Sequence, residues 1–161
     1  MAKAPPDRTS QASNTFFITT STDGGRFLLQ SERLVNLFLA TLFSYCEAKK
    51  FQVHEFVLMP NHVHLLTTPC EGISIERALQ FIKGGFSHRA RKEFGTTSEI
   101  WQRGYVDHRV RDAGDYAQHR EYIRANPVRA HLANSPEEYR YCSAYPGFVV
   151  DAIPQGLKPG K

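Results

Sequence analysis

The 161-residue sequence is poor in cysteine, and its three cysteines form no recognisable framework. Cys46, Cys70 and Cys142 lie far apart and include no CxxC pair. An odd and sparse count excludes a disulfide-stapled scaffold and indicates reduced thiols in a cytosolic protein. The spacing also argues against a structural zinc site, which would need closely spaced ligands.

Long hydrophobic runs are missing as well. No apolar stretch approaches the roughly 20 residues of a membrane helix, and residues 1–13 lack the apolar segment of a signal peptide. We therefore expect a cytoplasmic protein without membrane association, beginning with a disordered lead-in at residues 1–13. The remaining length suits one domain, which we place at residues 14–145, before a flexible tail at residues 146–161 that is rich in proline and glycine.

Positive charge is in modest excess, with a net charge of +4. Such an excess permits a polyanionic partner without establishing one. Six of the basic side chains fall in one central stretch of the chain: Lys83, Arg89, Arg91, Lys92, Arg103 and Arg109. On charge alone, a solvated helix face explains this stretch better than a binding surface.

The hydrophobic patterns predict four strands and three helices. The strands lie at residues 15–20, 51–59, 62–68 and 105–111, and Pro60-Asn61 joins the second to the third as a tight hairpin. The helices follow the capping residues Ser31, Ser74 and Asp112 and run to about residues 49, 94 and 126. This order predicts an α+β fold, a ferredoxin-like or RRM-like antiparallel sheet with helices on one face plus an extra helix.

The segment His62-Val63-His64 is the sharpest functional signal. Because side chains alternate along a strand, both imidazoles must point to one face of the sheet, while Val63 and Leu65 point to the other face, under the helices. Two imidazoles on an open face form half of a metal site. A lone His-x-His is, however, more often a pair of ordinary histidines beside a turn.

A second constellation lies on the last predicted helix. His119, Tyr122 and Asn126 are spaced i, i+3 and i+7, so they share one helix face. A tyrosine there can act as a nucleophile, and the Asn126 carbonyl suits Mg²⁺ or Mn²⁺. Alternatively, Tyr122 packs at the edge of the core and Asn126 caps the helix before Pro127. His119 is a candidate general base, metal ligand or core histidine.

Three segments together resemble a known family. Residues 56–66 (FVLMPNHVHLL) resemble the HUH segment of single-tyrosine transposases, and residues 100–105 (IWQRGY) resemble the segment before their last sheet strand. Residues 122–128 (YIRANPV) are similar to the tyrosine helix of the REP-associated tyrosine transposase branch. The three segments occur in family order, and the resemblance covers about residues 15–145.

The resemblance implies a role for each matching residue. His62, His64 and Asn126 would bind a divalent metal, Mg²⁺ or Mn²⁺, and Tyr122 would be the nucleophile. The family cleaves and rejoins single-stranded DNA beside hairpins through a 5′-phosphotyrosine intermediate.

The resemblance also gives the basic stretch a meaning. Lys83, Arg89, Arg91, Lys92, Arg103 and Arg109 become candidate phosphate contacts. Trp101 would either stack on an unpaired base or pack in the core. We expect a monomer, with a dimer as the alternative.

Competing functions fit the residues less well. RNA-recognition domains carry aromatic side chains on the open sheet face, where His62 and His64 would lie here. Two-histidine phosphoesterases need His-x-Ser/Thr twice. A domesticated protein that binds hairpin DNA without cleaving it is the main alternative, and the presence of all the proposed catalytic residues argues for activity.

Overall fold

A four-stranded antiparallel sheet organises the chain in the computed structural model, which describes residues 14–160. The strands are β1 (Phe16–Ser21), β2 (Phe51–Met59), β3 (His62–Pro69) and β4 (Val106–Arg109), in the order β2-β3-β1-β4. The turn at Pro60-Asn61 pairs Met59 with His62, as expected of a tight hairpin. The predicted ferredoxin-like sheet is confirmed, while the predicted lead-in at residues 1–13 lies outside the described residues.

Three α-helices cover the sheet: α1 (Glu32–Glu47), α2 (Ile75–Phe94) and α3 (Ala113–Arg129). Short 3-10 turns occupy Asp23–Gly25, Leu28–Gln30 and Pro136–Glu138. Each α-helix begins as predicted, because the side chains of Ser31, Ser74 and Asp112 accept a hydrogen bond from the backbone N–H three residues later. None of the helices within residues 14–160 is long and apolar enough to cross a membrane.

The two faces of the sheet carry different layers. Val63 and Leu65 are fully buried in a core formed with α1 and α2. Leu66, on the opposite face, packs with Tyr116 and Ile123 of α3 in a second, smaller core. Helix α3, which carries the predicted nucleophile Tyr122, thus lies on the sheet face that carries His62 and His64, opposite the other two helices.

A β-bulge in β2 changes which residues reach the α3 face. The pairing of β2 with β3 shifts register between Val53 and Glu55. Without the shift, alternation would put Val53, Glu55 and Val57 on one face. Instead Val53 lies in the core under α1 and α2, whereas Val57 lies in the core under α3. The bulge thereby turns Glu55 towards α3.

Two predicted boundaries need correction. Helix α3 does not end near Asn126 but continues through Pro127 to Arg129. Pro127 removes one backbone hydrogen bond from the last turn of the helix, but it is buried there and the helix continues past it. Strand β4 is shorter than predicted, because pairing with β1 extends only from Val106 to Arg109.

The segment after residue 145 makes contacts that a flexible tail does not account for. The Phe148 ring packs edge-on against Phe56, with centroids 5.0 Å apart. The Asp151 backbone N–H donates to the Val53 carbonyl at 2.9 Å. This segment therefore adds to the edge of the domain beside β2, and the domain extends past the predicted boundary at residue 145.

Candidate active site

His62 and His64 lie side by side on the sheet face that α3 covers. Their ring centroids are 4.8 Å apart, and the rings meet edge to face. Nδ1 of His62 donates to Oδ1 of Asn61 at 2.7 Å, and Nδ1 of His64 shares a hydrogen bond with Oγ1 of Thr19 at 2.8 Å. Each ring is oriented through Nδ1, which leaves Nε2 as the ligand atom.

Burial keeps both imidazoles uncharged. It lowers the pKa of His62, and burial together with the neighbouring His62 lowers the pKa of His64 to about 3. An uncharged imidazole carries a free lone pair on one ring nitrogen, which is the form that binds metal ions. Both histidines are therefore in their ligand form at neutral pH.

The Nε2 atom of His64 is buried and has no hydrogen-bond partner among the described residues. Leaving such a group unsatisfied costs about 1–3 kcal/mol, so it calls for an explanation. A metal ligand is one, since the lone pair would be satisfied by the ion. The residues present therefore fit a divalent metal at this position.

Tyr122 lies directly beside this pair. Its ring centroid is 5.2 Å from that of His64, and 42% of the residue is exposed to solvent. The Phe17 ring on β1 contacts both residues, at 5.3 Å from His64 and 5.9 Å from Tyr122. The strand pair and the helix thus bring together the predicted nucleophile and the predicted ligands.

Asn126 follows one helical turn after Tyr122, and its side chain is half-buried. Its Nδ2 donates to the Tyr122 carbonyl at 3.3 Å. This bond uses the amino end of the amide and leaves the Oδ1 atom as the end able to bind a metal. The predicted helix face is therefore formed, with the amide next to the nucleophile.

Sequence reasoning missed what holds α3 in place. The Glu55 side chain is only 5% exposed, and its carboxylate accepts a hydrogen bond from Nε of Arg124 at 2.8 Å and another from Nε of Arg120 at 3.2 Å. Ser143 Oγ donates to the other carboxylate oxygen at 3.0 Å. A charged residue inside the apolar run of β2 was a signal for such a partner. Since Tyr122 lies between the two arginines along α3, this clamp of Glu55 with Arg120 and Arg124 helps to fix the position of the predicted nucleophile over the sheet.

The His119 ring belongs to a different cluster. Its Nδ1 lies 3.1 Å from the Asp115 carboxylate, and His108 Nε2 lies 2.7 Å from the same carboxylate. The donor atoms of these three residues lie within 4.8 Å of one another, so the group could hold a metal ion. The Phe17 ring lies 4.6 Å from that of His119 and also contacts His64. The described part of the chain thus carries two sets of side chains on one sheet face that could hold a metal ion.

Three other tyrosines, Tyr45, Tyr116 and Tyr139, are poorly placed to attack phosphorus. Burial raises the pKa of Tyr116 and of Tyr139 to about 12 in each case. Burial of this kind makes the phenols of Tyr116 and Tyr139 harder to ionise. Tyr45 packs against Phe81, with ring centroids 5.1 Å apart.

Four of the six predicted phosphate contacts lie on the face of the sheet opposite the histidine pair. Lys83, Arg89, Arg91 and Lys92 are on α2, which covers the opposite face of the sheet. Lys83 Nζ donates to the carbonyls of Gln102 and Gly104, and Arg89 donates to Thr41. Arg103 and Arg109 are exposed. The contact of all six residues with DNA remains a prediction, and the four on α2 would form a surface separate from the histidine face.

Trp101 is a core residue. Its indole N–H donates to the Lys83 carbonyl at 3.2 Å, and its ring packs against Phe38 and Phe86. A ring enclosed in this way offers no free face to a base. Of the two interpretations of Trp101, the structure supports core packing.

Comparison with known proteins agrees with the motif order. A family model described as "Transposase IS200 like" matches residues 20–126. The chain is 27% identical over 131 residues to a candidate REP-associated tyrosine transposase of Haemophilus influenzae, covering 75% of this chain and 74% of that protein. It is 30% identical over 82 residues to the REP-associated tyrosine transposase of Escherichia coli K12, covering 50% of this chain and 47% of that protein.

The fold matches a solved structure of the same kind. A REP-associated tyrosine transposase bound to a REP hairpin aligns with a TM-score of 0.72 at 20% identity, over 100% of this chain and 99% of that chain. At this level of identity the alignment shows a shared fold. The curated relatives to which the chain is similar are of the REP-associated tyrosine transposase kind. The family model supplies the assignment: this chain belongs to the IS200-like transposases.

Proposed function

We propose that this chain cleaves and rejoins single-stranded DNA beside hairpins, with Tyr122 as nucleophile and a divalent metal held by His62, His64 and Asn126. One observation carries the proposal: the Tyr122 ring lies 5.2 Å from that of His64, whose buried Nε2 has no partner among the described residues. Family membership, and the likeness to a transposase solved with a REP hairpin, support the choice of substrate.

The reaction exchanges one phosphate ester for another. The Tyr122 Oη atom forms a bond to phosphorus while the bond from phosphorus to the 3′ oxygen breaks. The phenol gives up its proton and the departing 3′ oxygen gains one. The 5′ phosphate stays on Tyr122. A 3′-OH can later attack this phosphotyrosine and release the phenol, so strands are rejoined without ATP.

The chain's own residues prepare this step. The hydrogen bonds that His62 donates to Asn61 and that His64 shares with Thr19 orient the two imidazoles, and the Phe17 ring contacts both His64 and Tyr122. Mg²⁺ or Mn²⁺ bound there would polarise a non-bridging oxygen of the scissile phosphate. An amide oxygen is a donor that suits both ions, and an uncharged imidazole nitrogen is a donor that divalent transition metals accept.

The nucleophile is tested with a hairpin-bearing single strand labelled at its 3′ end. We expect Tyr122→Phe to abolish the covalent protein–DNA band on a denaturing gel while hairpin binding persists, because the change removes one oxygen and little packing. Tyr145→Phe, at another exposed tyrosine, is the matched control and should keep the band. An adduct that persists in Tyr122→Phe would assign the nucleophile to another residue. A wild-type protein that binds the hairpin without any adduct would favour the non-catalytic alternative.

The metal is tested by binding and by cleavage. We expect His62→Ala and His64→Ala to lose Mn²⁺ binding in electron paramagnetic resonance and to lose Mn²⁺-dependent cleavage, since each removes a ligand. His88→Ala, at an exposed histidine of α2, should retain both. Asp115→Asn tests the cluster of His108, Asp115 and His119. If this variant loses Mn²⁺ binding while His62→Ala and His64→Ala keep it, the ion is held by that cluster. Full cleavage in EDTA would exclude a metal role.

A further inference from the structure

Arg129 is the last residue of α3 and lies on the helix face that carries the proposed nucleophile. It lies seven residues after Tyr122 and three after Asn126, so the three side chains lie on one side of α3. The guanidinium carbon of Arg129 is 5.9 Å from the centroid of the Tyr122 ring. An arginine is therefore placed beside the phenol that the proposed reaction uses.

The Arg129 guanidinium forms no ion pair within residues 14–160. Arg120 and Arg124, the other arginines on the inner side of α3, are ion-paired with Glu55. Within residues 14–160, no carboxylate lies within ion-pair distance of Arg129, whose side chain is exposed. The contact with the Tyr122 ring leaves its five N–H donors available.

The residues around Tyr122 indicate what the positive charge of Arg129 would do. Phe17, His64 and Arg129 contact its ring, and among these described neighbours Arg129 is the one permanent cation. A phosphodiester carries one negative charge, and charge accumulates on its non-bridging oxygens as a fifth oxygen bonds to phosphorus. A planar guanidinium can meet two such oxygens at once.

We propose that Arg129 binds the non-bridging oxygens of the phosphodiester that Tyr122 attacks, holding the phosphorus in line with the phenol and stabilising the charge of the transition state. The inference rests on the proposed function of Tyr122. The ordinary alternative is a surface arginine that packs over a ring and complements the C-terminus of its helix. The two differ in whether the effect of Arg129 depends on phosphate charge.

The test compares Arg129→Ala with Arg33→Ala, which removes an exposed arginine whose guanidinium carbon lies 4.2 Å from the Phe94 ring centroid, far from the histidine face. On ordinary DNA we expect Arg129→Ala to form the adduct roughly 100-fold more slowly, as for loss of one preorganised donor at a transition state. Hairpin affinity and melting temperature should stay near those of the wild type. Arg33→Ala should match the wild type throughout.

Two further measurements separate a phosphate contact from a structural role. On a substrate whose scissile phosphate is a neutral methylphosphonate, the wild type and Arg129→Ala should react at rates within about threefold, because the charge that Arg129 would neutralise is gone. Added guanidinium chloride should speed Arg129→Ala on ordinary DNA and leave Arg33→Ala unchanged. If wild type does not cleave the methylphosphonate, the guanidinium rescue decides.

The results that overturn the inference are distinct from those that overturn the proposed function. An Arg129→Ala protein that forms the adduct as fast as Arg33→Ala refutes the phosphate contact. So does a slow Arg129→Ala protein that shows neither guanidinium rescue nor a smaller defect on the methylphosphonate. A persistent adduct in Tyr122→Phe instead refutes the choice of nucleophile.

Discussion

Replacing Glu55 with Gln should weaken the packing of α3, the helix of the proposed nucleophile Tyr122, against the sheet without unfolding the domain. The Glu55 carboxylate accepts from Arg124 at 2.8 Å and from Arg120 at 3.2 Å, and it also accepts from Ser143. Glutamine keeps the shape and one carbonyl oxygen but loses the charge. The two arginine contacts therefore change from charge-assisted to neutral hydrogen bonds, and an amino group meets Ser143 or an arginine.

The size of the effect follows from the two contacts. A hydrogen bond to a charged acceptor contributes roughly 1.5–3 kcal/mol and one to a neutral acceptor roughly 0.5–1.5 kcal/mol, so each contact loses about 1 kcal/mol. The side chain of Arg120 is 49% exposed and that of Arg124 is 29% exposed, so water recovers part of this, mainly at Arg120. We expect a loss of about 1.5 kcal/mol, or roughly 3–6 °C in melting temperature for a chain of this length.

The assay pairs thermal unfolding with the rate of adduct formation. Glu32→Gln is the matched control, because Glu32 pairs with Arg140 at 3.0 Å but both side chains are 60% exposed, and such a pair contributes about 0–1 kcal/mol. We expect Glu55→Gln to slow the adduct about tenfold, since small misplacements of a nucleophile are costly, and to spare Mn²⁺ binding by the histidines. A Glu55→Gln protein indistinguishable from Glu32→Gln in both measurements would refute the role of the clamp.

Two further predictions concern stability. Gly84→Ala should raise the free energy of unfolding by about 0.5–1 kcal/mol, because a methyl group there meets nothing within 4 Å. Gly85→Ala should lower it by about 1–3 kcal/mol, because its Cβ would lie 2.9 Å from Cε2 of Tyr45. Denaturant titration measures both changes, and two changes in the same direction would contradict this prediction. Burial opposes ionisation of Asp115, but the Arg111 backbone N–H and the flanking histidines outweigh it and lower its pKa below 3.8. The stability that Asp115 adds over Asp115→Asn should therefore be complete above about pH 5 and shrink as the pH falls below 3.8, and a constant difference in melting temperature down to pH 2 would contradict this.

Local patterns in the sequence predict most of the fold and the centre of the site. Period-two alternation placed His62 and His64 opposite Val63, and helical spacing placed Tyr122 and Asn126 on one face. These predictions succeed because each depends on residues near one another in the chain. The resemblance to the transposase family then supplied what periodicity cannot, namely that the strand and the helix meet.

The features that local patterns did not predict depend on distant contacts or on irregular backbone. The bulge before Glu55 reverses the alternation of β2, so no regular pattern could place its carboxylate under α3. The docking of Asp151 onto Val53 joins residues far apart in sequence. The i, i+7 spacing argument that selected Asn126 could also have selected Arg129. Because Pro127 was expected to end the helix, Arg129 was not placed on that face.

The two halves of the site are held by different forces, and this difference bears on how DNA enters. The histidines sit on a strand hydrogen-bonded on both sides, above a core to which α1 and α2 each contribute six buried residues. Helix α3 buries few apolar side chains, chiefly Tyr116, Ile123 and Pro127, and relies on the Glu55 clamp. Apolar burial is not weakened by charge screening, whereas ion pairs with half-exposed arginines are weakened by salt. His62 and His64 therefore form the rigid half of the proposed site, and Tyr122 and Asn126 on α3 form the half that moves more easily. Such mobility would suit the proposed nucleophile, which would have to let a DNA strand pass between itself and His64 and later release it.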